Sequence, residues 1–177
     1  VSVREPVMPR DMVYGRVRKG GVIVFIHETG DNDGFLHLVI VLAAHRVKSI
    51  GGIYFDGEMA VDATGQSQGR WEGLVTVDKR LGYTGQSAFP GLVEEVSEHW
   101  TTEHRLDGCA AIYLRLEHDR DAFPGGIPDI SADIEGKDDI LDPRTGDYGY
   151  SENAALCLAD YMGHPTFGLG AEIGAED

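Results

Sequence analysis

Cysteine is scarce: only Cys109 and Cys157 occur in 177 residues. Two thiols cannot make a disulfide framework, and the length is enough to bury a core without staples. Both lie in apolar stretches, which predicts buried thiols in a chain folded under reducing conditions. Cations are also scarce, 15 Lys and Arg against 30 Asp and Glu, for a formal net charge of −15. Such a surface repels phosphate backbones and excludes non-specific DNA binding. It gives no basis for direct sequence-specific nucleic-acid recognition either. The charge reads first as a solubility device; a narrower reading is an acid-lined passage along which DNA slides. Long apolar runs are missing as well. The longest, 35–44, is interrupted by His37 and is far too short to span a bilayer as a helix, so no membrane segment is expected.

The motifs of common chemistries are absent too. There is no H-E-x-x-H, no G-x-x-x-x-G-K-[ST] and no G-x-S-x-G. The seven histidines (27, 37, 45, 99, 104, 118 and 164) are scattered without ligand spacing and read as surface or packed residues. Carboxylates pair at Glu94-Glu95, Asp119 with Asp121, and Asp138-Asp139, but any acidic chain supplies such pairs, and solvated turns are the simpler reading. Asp31-Asn32-Asp33-Gly34 offers oxygen atoms in a loop, as calcium sites do. It lacks the twelve-residue pattern and its closing Glu, and a polar turn is favoured. No catalytic, cofactor-binding or metal residue is assigned, no cofactor is expected, and the chain reads as no enzyme.

What the sequence does have is glycine, 24 residues, and short β-branched runs. The segment 12–27 predicts strand on either side of a Gly20-Gly21 break. Residues 35–44, apolar on both faces, predict a central strand covered on each side. Residues 47–55 predict a strand bent at Gly51-Gly52, and Asp56-Gly57 signals a hairpin. Residues 71–77 read as strand and 79–86 as turn. Leu92, Val93, Val96 and Trp100 approach helical spacing after Pro90, predicting a short helix over 89–100 laid on a sheet. In 109–117 the alternation assigns Ala110, Ile112, Leu114 and Leu116 to the core face. Tyr14, Tyr54, Trp71 and Tyr113 are assigned to strands, as core or cross-strand aromatics. Phe123-Pro124-Gly125-Gly126-Ile127-Pro128 reads as a rigid loop and 130–141 as a strand bent or folded at Gly136-Lys137. Asp142-Pro143-Arg144-Thr145-Gly146 reads as a turn. Ser151 is the expected cap of a final helix that Gly163 and Pro165 end. The fold class is mainly β (α+β), a barrel or a sandwich with two short helices.

The order of these segments resembles the N-terminal hub region of phage tail-tip proteins, the family of the lambda host-specificity protein J. The resemblance rests on Phe123 to Ala132, Gly136-Lys137, Asp142 to Gly146, Ser151 to Tyr161 and Phe167-Gly168-Leu169-Gly170. In the front half it rests on Val13-Tyr14-Gly15-Arg16 with Gly20-Gly21, which resembles that family's opening strand pair, and on Leu36 to Ala43 through Ile50 to Gly57. It is weakest over 61–98. The chain departs from the family in having Asn153-Ala154-Ala155-Leu156 for Asn-Pro-Ala-Leu, and Asp129 for Asn. The resemblance implies a linker stub at 1–11, a hub domain at 12–170 with an optional inserted lobe around 61–140, and a tail at 171–177. The first ten residues also read as cut from something longer. It further implies a homotrimer at the virion tail tip, assembled in the bacterial host cytoplasm. Such a hub contacts other tip and tail-tube proteins and reaches the host receptor only through regions absent here. In that setting Pro124 and Pro128 fix a loop, and Asp142 with Arg144 ties the turn before the last helix. The alternatives are a carbohydrate-binding β module and a β-rich interaction domain of a cellular protein.

Overall fold

The computed structural model describes residues 11–171. The proposed stub and tail, apart from Asp11 and Ala171, lie outside the described residues. Ten strands are described: β1 Arg16–Lys19, β2 Val22–Thr29, β3 Phe35–Ala43, β4 Val47–Phe55, β5 Glu58–Val61, β6 Val75–Leu81, β7 Ala110–Glu117, β8 Ile130–Lys137, β9 Ile140–Asp142 and β10 Asp147–Gly149. Two helices join them, α1 Pro90–Glu95 and α2 Ala154–Gly163, with a 3-10 turn at Gly69–Trp71.

The strands form two four-stranded antiparallel sheets, ordered β2-β3-β7-β6 and β1-β8-β4-β5, plus the β9–β10 ribbon. No sheet closes on itself among the described residues, so the barrel option gives way to a sandwich. Leu38, Ile40 and Leu42 of β3, with Ile112 and Leu114 of β7, meet Ile53 and Phe55 of β4 and Ile130, Ala132 and Ile134 of β8 in one core. The run at 35–43 is apolar on both faces apart from His37 because its other face is buried as well. Val39, Ala111 and Tyr113 pack under Phe89, Leu92, Val96 and Trp100. The first sheet therefore carries a core on each face, and the second only on its inner one.

Local chemistry explains several joints. Asp56 and Gly57 both take positive φ, 50° and 86°, the pair a two-residue hairpin needs between β4 and β5. Register slips between Ile50 and Ile53, placing the expected bulge at Gly51-Gly52. At Gly21 an added Cβ would lie 2.4 Å from the Val41 carbonyl oxygen, so only glycine lets the chain pass there.

Other expectations are corrected. The strands flanking Gly20-Gly21 do not pair with each other: β1 joins β8, β2 joins β3, and the break carries the chain from one sheet to the other. Trp71 lies in the 3-10 turn, and β6 begins at Val75 and runs through Leu81, into the segment expected to be turn. The helix expected over 89–100 stops at Glu95, although Val96 and Trp100 still cover the sheet through turns. β8 runs unbroken through Gly136, and the small hairpin is formed by β9 and β10 instead. Tyr14 precedes β1 rather than lying in it. Asn153, not Ser151, caps α2, its Oδ1 accepting from the Ala155 N–H at 2.9 Å, while Ser151 Oγ accepts from the Asn153 N–H. Cys109 and Cys157 are half-buried rather than buried, and no disulfide joins them.

Candidate interaction surfaces

Helix α2 has no buried residue. Polar contacts secure it instead. Asp160 accepts from Lys137 Nζ at 2.7 Å and from the Tyr14 hydroxyl at 2.5 Å, and Lys137 also pairs with Asp139 at 2.8 Å. Burial and the Asp160 carboxylate push the Tyr14 phenol well above its ordinary range. Lys137 is held above its ordinary value by its two carboxylates, although burial opposes this. Leu158 and Tyr161 on α2, Leu169 beyond it, and the cross-strand neighbours Leu141 and Tyr148 of the ribbon are all exposed. These five apolar side chains of the C-terminal unit thus face outward, as at a contact surface, while Ile140 is buried. The turn before α2 is tied as expected: Arg144 Nε and Nη2 donate to Asp142 at 2.9 and 2.6 Å. That pairing lowers the Asp142 carboxyl to about 2.

The outer face of the second sheet is polar. A groove of about 740 Å³ there is walled by paired charges, Arg18 with Asp133 and Arg16 with Glu135, and Lys48 reaches Glu135 from beside it. Arg18 also stacks on Tyr54, whose hydroxyl donates to Asp133 at 2.9 Å. These charges satisfy one another, so the groove offers few unspent groups to a ligand.

Two histidines are structural. His37 is fully buried in β3, with Thr29 Oγ1 2.7 Å from Nε2 and the Tyr113 hydroxyl 2.8 Å from Nδ1. Glu95 of α1 stands 3.8 Å from Nε2 and is itself held by Arg115. His45 Nε2 accepts from the Val13 N–H at 2.8 Å, which places the proton on Nδ1, facing the Arg46 carbonyl. Burial is the first cause lowering both histidines; Glu95 partly offsets it at His37, and the Arg46 carbonyl does so at His45. Because the folded-state values lie below the ordinary 6.5, the unfolded chain binds protons first as pH falls. Their stabilisation is complete above pH 6.5 and is lost as pH drops from there through the folded-state values. The denaturation midpoint is therefore expected to fall between about pH 7.5 and about pH 5, and His45→Gln should flatten part of that slope. A midpoint that stays level across this range would refute neutral burial. Four of the remaining five histidines pack or cap: His27 packs obliquely against His99, His104 against Trp100, and His164 Nδ1 accepts from the Thr166 and Phe167 N–H groups, while His118 is exposed. No group of three or more His, Cys, Asp or Glu able to hold a metal occurs among the described residues.

Three carboxylates of the pairs noted in the sequence are taken by basic side chains. Glu95 goes to Arg115, Asp138 to Arg46 and Asp139 to Lys137, while Asp119 Oδ1 accepts from the Asp121 and Ala122 N–H groups. Asn32 and Asp33 take left-handed conformations at the tip between β2 and β3. The 122–128 loop, with Trp71 and Asp56, encloses a cavity of about 100 Å³. Sequence reading found the loop but not its partner Trp71, which lies far from it in the chain.

These features describe a β-rich sandwich with an outward-facing apolar end. The same fold occurs in a chain from a structure described as the virion of a native gene transfer agent particle. The TM-score is 0.56 at 14% identity, covering 92% of this chain and 42% of that one. At that identity the likeness is one of fold, and the present chain corresponds to less than half of the virion chain. No family model matches the sequence, and no curated protein matches it.

Proposed function

We propose that this domain is a structural component of a phage-type virion, built into the central hub at the tail tip, and that it carries no catalysis of its own. The observation that carries this reading is the fold that 92% of this chain shares with part of a virion chain. The segment order that resembles tail-tip hubs narrows it to the tip, and the exposed apolar side chains around α2 suit a protein that works in contact with others. In this reading full-length copies associate as a homotrimer, contact neighbouring tip and tube proteins, and leave receptor binding to other regions.

Immunogold labelling with antibody raised against the domain tests this on particles of the parent strain. Gold confined to the distal tail end is the expected result. Particles that remain unlabelled after disruption, with the epitope shown to be accessible, would sink the proposal. Sedimentation equilibrium of the full-length protein should give three times the chain mass.

A further inference from the structure

The first sheet ends on β2, and that edge is open. In an antiparallel sheet every second residue of an edge strand turns its N–H and C=O away from the neighbouring strand. Among the described residues, the backbone of Val22–Thr29 has no hydrogen bond outside its pairing with β3. The other sheet edges are short or charged. β1 and β5 have four residues each, β1 carries Arg16, Arg18 and Lys19, and β6 carries Asp78, Lys79 and Arg80. β2 has eight residues and no proline, and Glu28 is its only Asp, Glu, Lys or Arg. An open edge of this length is a template for another strand.

The register fixes what such a strand would meet. A bulge at Val24 interrupts the ladder, so the regular run is 25–29. Directly paired residues share a face, which puts Glu28 with Leu36 and Leu116 on the core-facing side. There the sandwich opens into a cavity of about 170 Å³, lined by Glu28 together with Leu36, Leu116, Phe123 and Ile127. Asp31 and Asp33 follow at the tip between β2 and β3. Glu28, Asp31 and Asp33 have no ion pair and no side-chain hydrogen bond among the described residues. Asp133 and Glu135 of the second sheet, by contrast, are both paired with arginines.

We infer that the β2 edge binds an extended, basic segment of a partner protein, with a Lys or Arg beside Glu28. The segment's backbone pairs along 25–29. Its basic side chain lays an aliphatic stem over the cavity and brings its charge to the Glu28 carboxylate. A second copy of this chain is a poor occupant. Each copy carries −15, and its own basic strand, β1, is already matched to Asp133 and Glu135. The edge exists whether or not the domain sits in a tail.

The probe is a short acetylated and amidated peptide of alternating Val and Thr with one central Lys, added to the ¹⁵N-labelled chain. Amide shifts should saturate within 22–29, the outward amides there should exchange more slowly, and β1 and β6 should not respond. The same peptide N-methylated on alternate residues cannot pair and should not bind. Exchanging its Lys for Glu should abolish binding. Glu28→Gln should weaken the Lys peptide about threefold to fivefold, the size of an exposed ion pair, and leave the affinity for a Gln peptide unchanged. Glu28 is exposed, so the free variant should keep the parent spectrum. Residues 22–29 that ignore the Lys peptide at millimolar concentration overturn the assignment, as does equal binding of the N-methylated or the Glu peptide. Shifts in 22–29 that grow with protein concentration alone make the occupant a second copy and overturn it too.

Discussion

Gly136→Ala should leave little folded protein. The chain at Val13–Gly15 crosses β8 at this point, with the Gly136 N–H donating to the Gly15 carbonyl and the Lys137 N–H to that of Val13, both at 2.8 Å. A Cβ on residue 136 would sit 2.2 Å from the Val13 oxygen and 2.6 Å from its carbonyl carbon. Backbone cannot step aside there without losing both hydrogen bonds and the Val13 contact with the core. A loss of more than about 4 kcal/mol is expected, which approaches the whole stability of a marginally stable domain. Urea denaturation, or failure to recover soluble protein, is the measure. A variant within about 1 kcal/mol of the parent would show that the crossing is looser than described.

Lys137→Ala should cost about 3 kcal/mol, at the low end for breaking a buried pair. The lysine side chain is 10% exposed and Asp160 14%, but Asp139 is half-exposed and stays partly hydrated. Removing the cation leaves Asp160 facing the Tyr14 hydroxyl alone. The loss should be local: α2 buries no residue of its own, so amide exchange should rise in 154–163 before the sheets respond. Equal loss of protection in β3 and α2 would mean that the helix unfolds only with the whole domain.

Features set by neighbouring residues were legible in the sequence. The strand at 35–43, the bend at Gly51-Gly52 and the turn at Asp56-Gly57 each depend on a few adjacent residues, and the turn also on glycine's tolerance of positive φ at Gly57. The separation of β1 from β2 was hidden, because a Gly-Gly break fits a hairpin as well as a passage between sheets, and distant β8 decides. The helix over 89–100 was over-extended because apolar spacing near four residues also serves a wrapping turn. Ser151 and Asn153 can both cap, and only the fold shows which reaches the Ala155 N–H. The cavity beneath the 122–128 loop could not be foreseen, since Trp71, read as a strand residue, meets the loop only once both sheets have packed.

The placement of β8 between β1 and β4 also sets the order in which the chain can fold as it is made. The first sheet is complete in sequence once Glu117 has emerged, because β2, β3, β6 and β7 all precede that point. The second has only the β4–β5 hairpin until Ile130–Lys137 is synthesised, and β1 waits for a partner 119 residues away, as the Arg16–Glu135 contact shows. Such distant pairings close slowly. A nascent chain halted between Glu117 and Ile130 presents an open β4 edge to other nascent chains, and misassembly of this protein should begin at that edge.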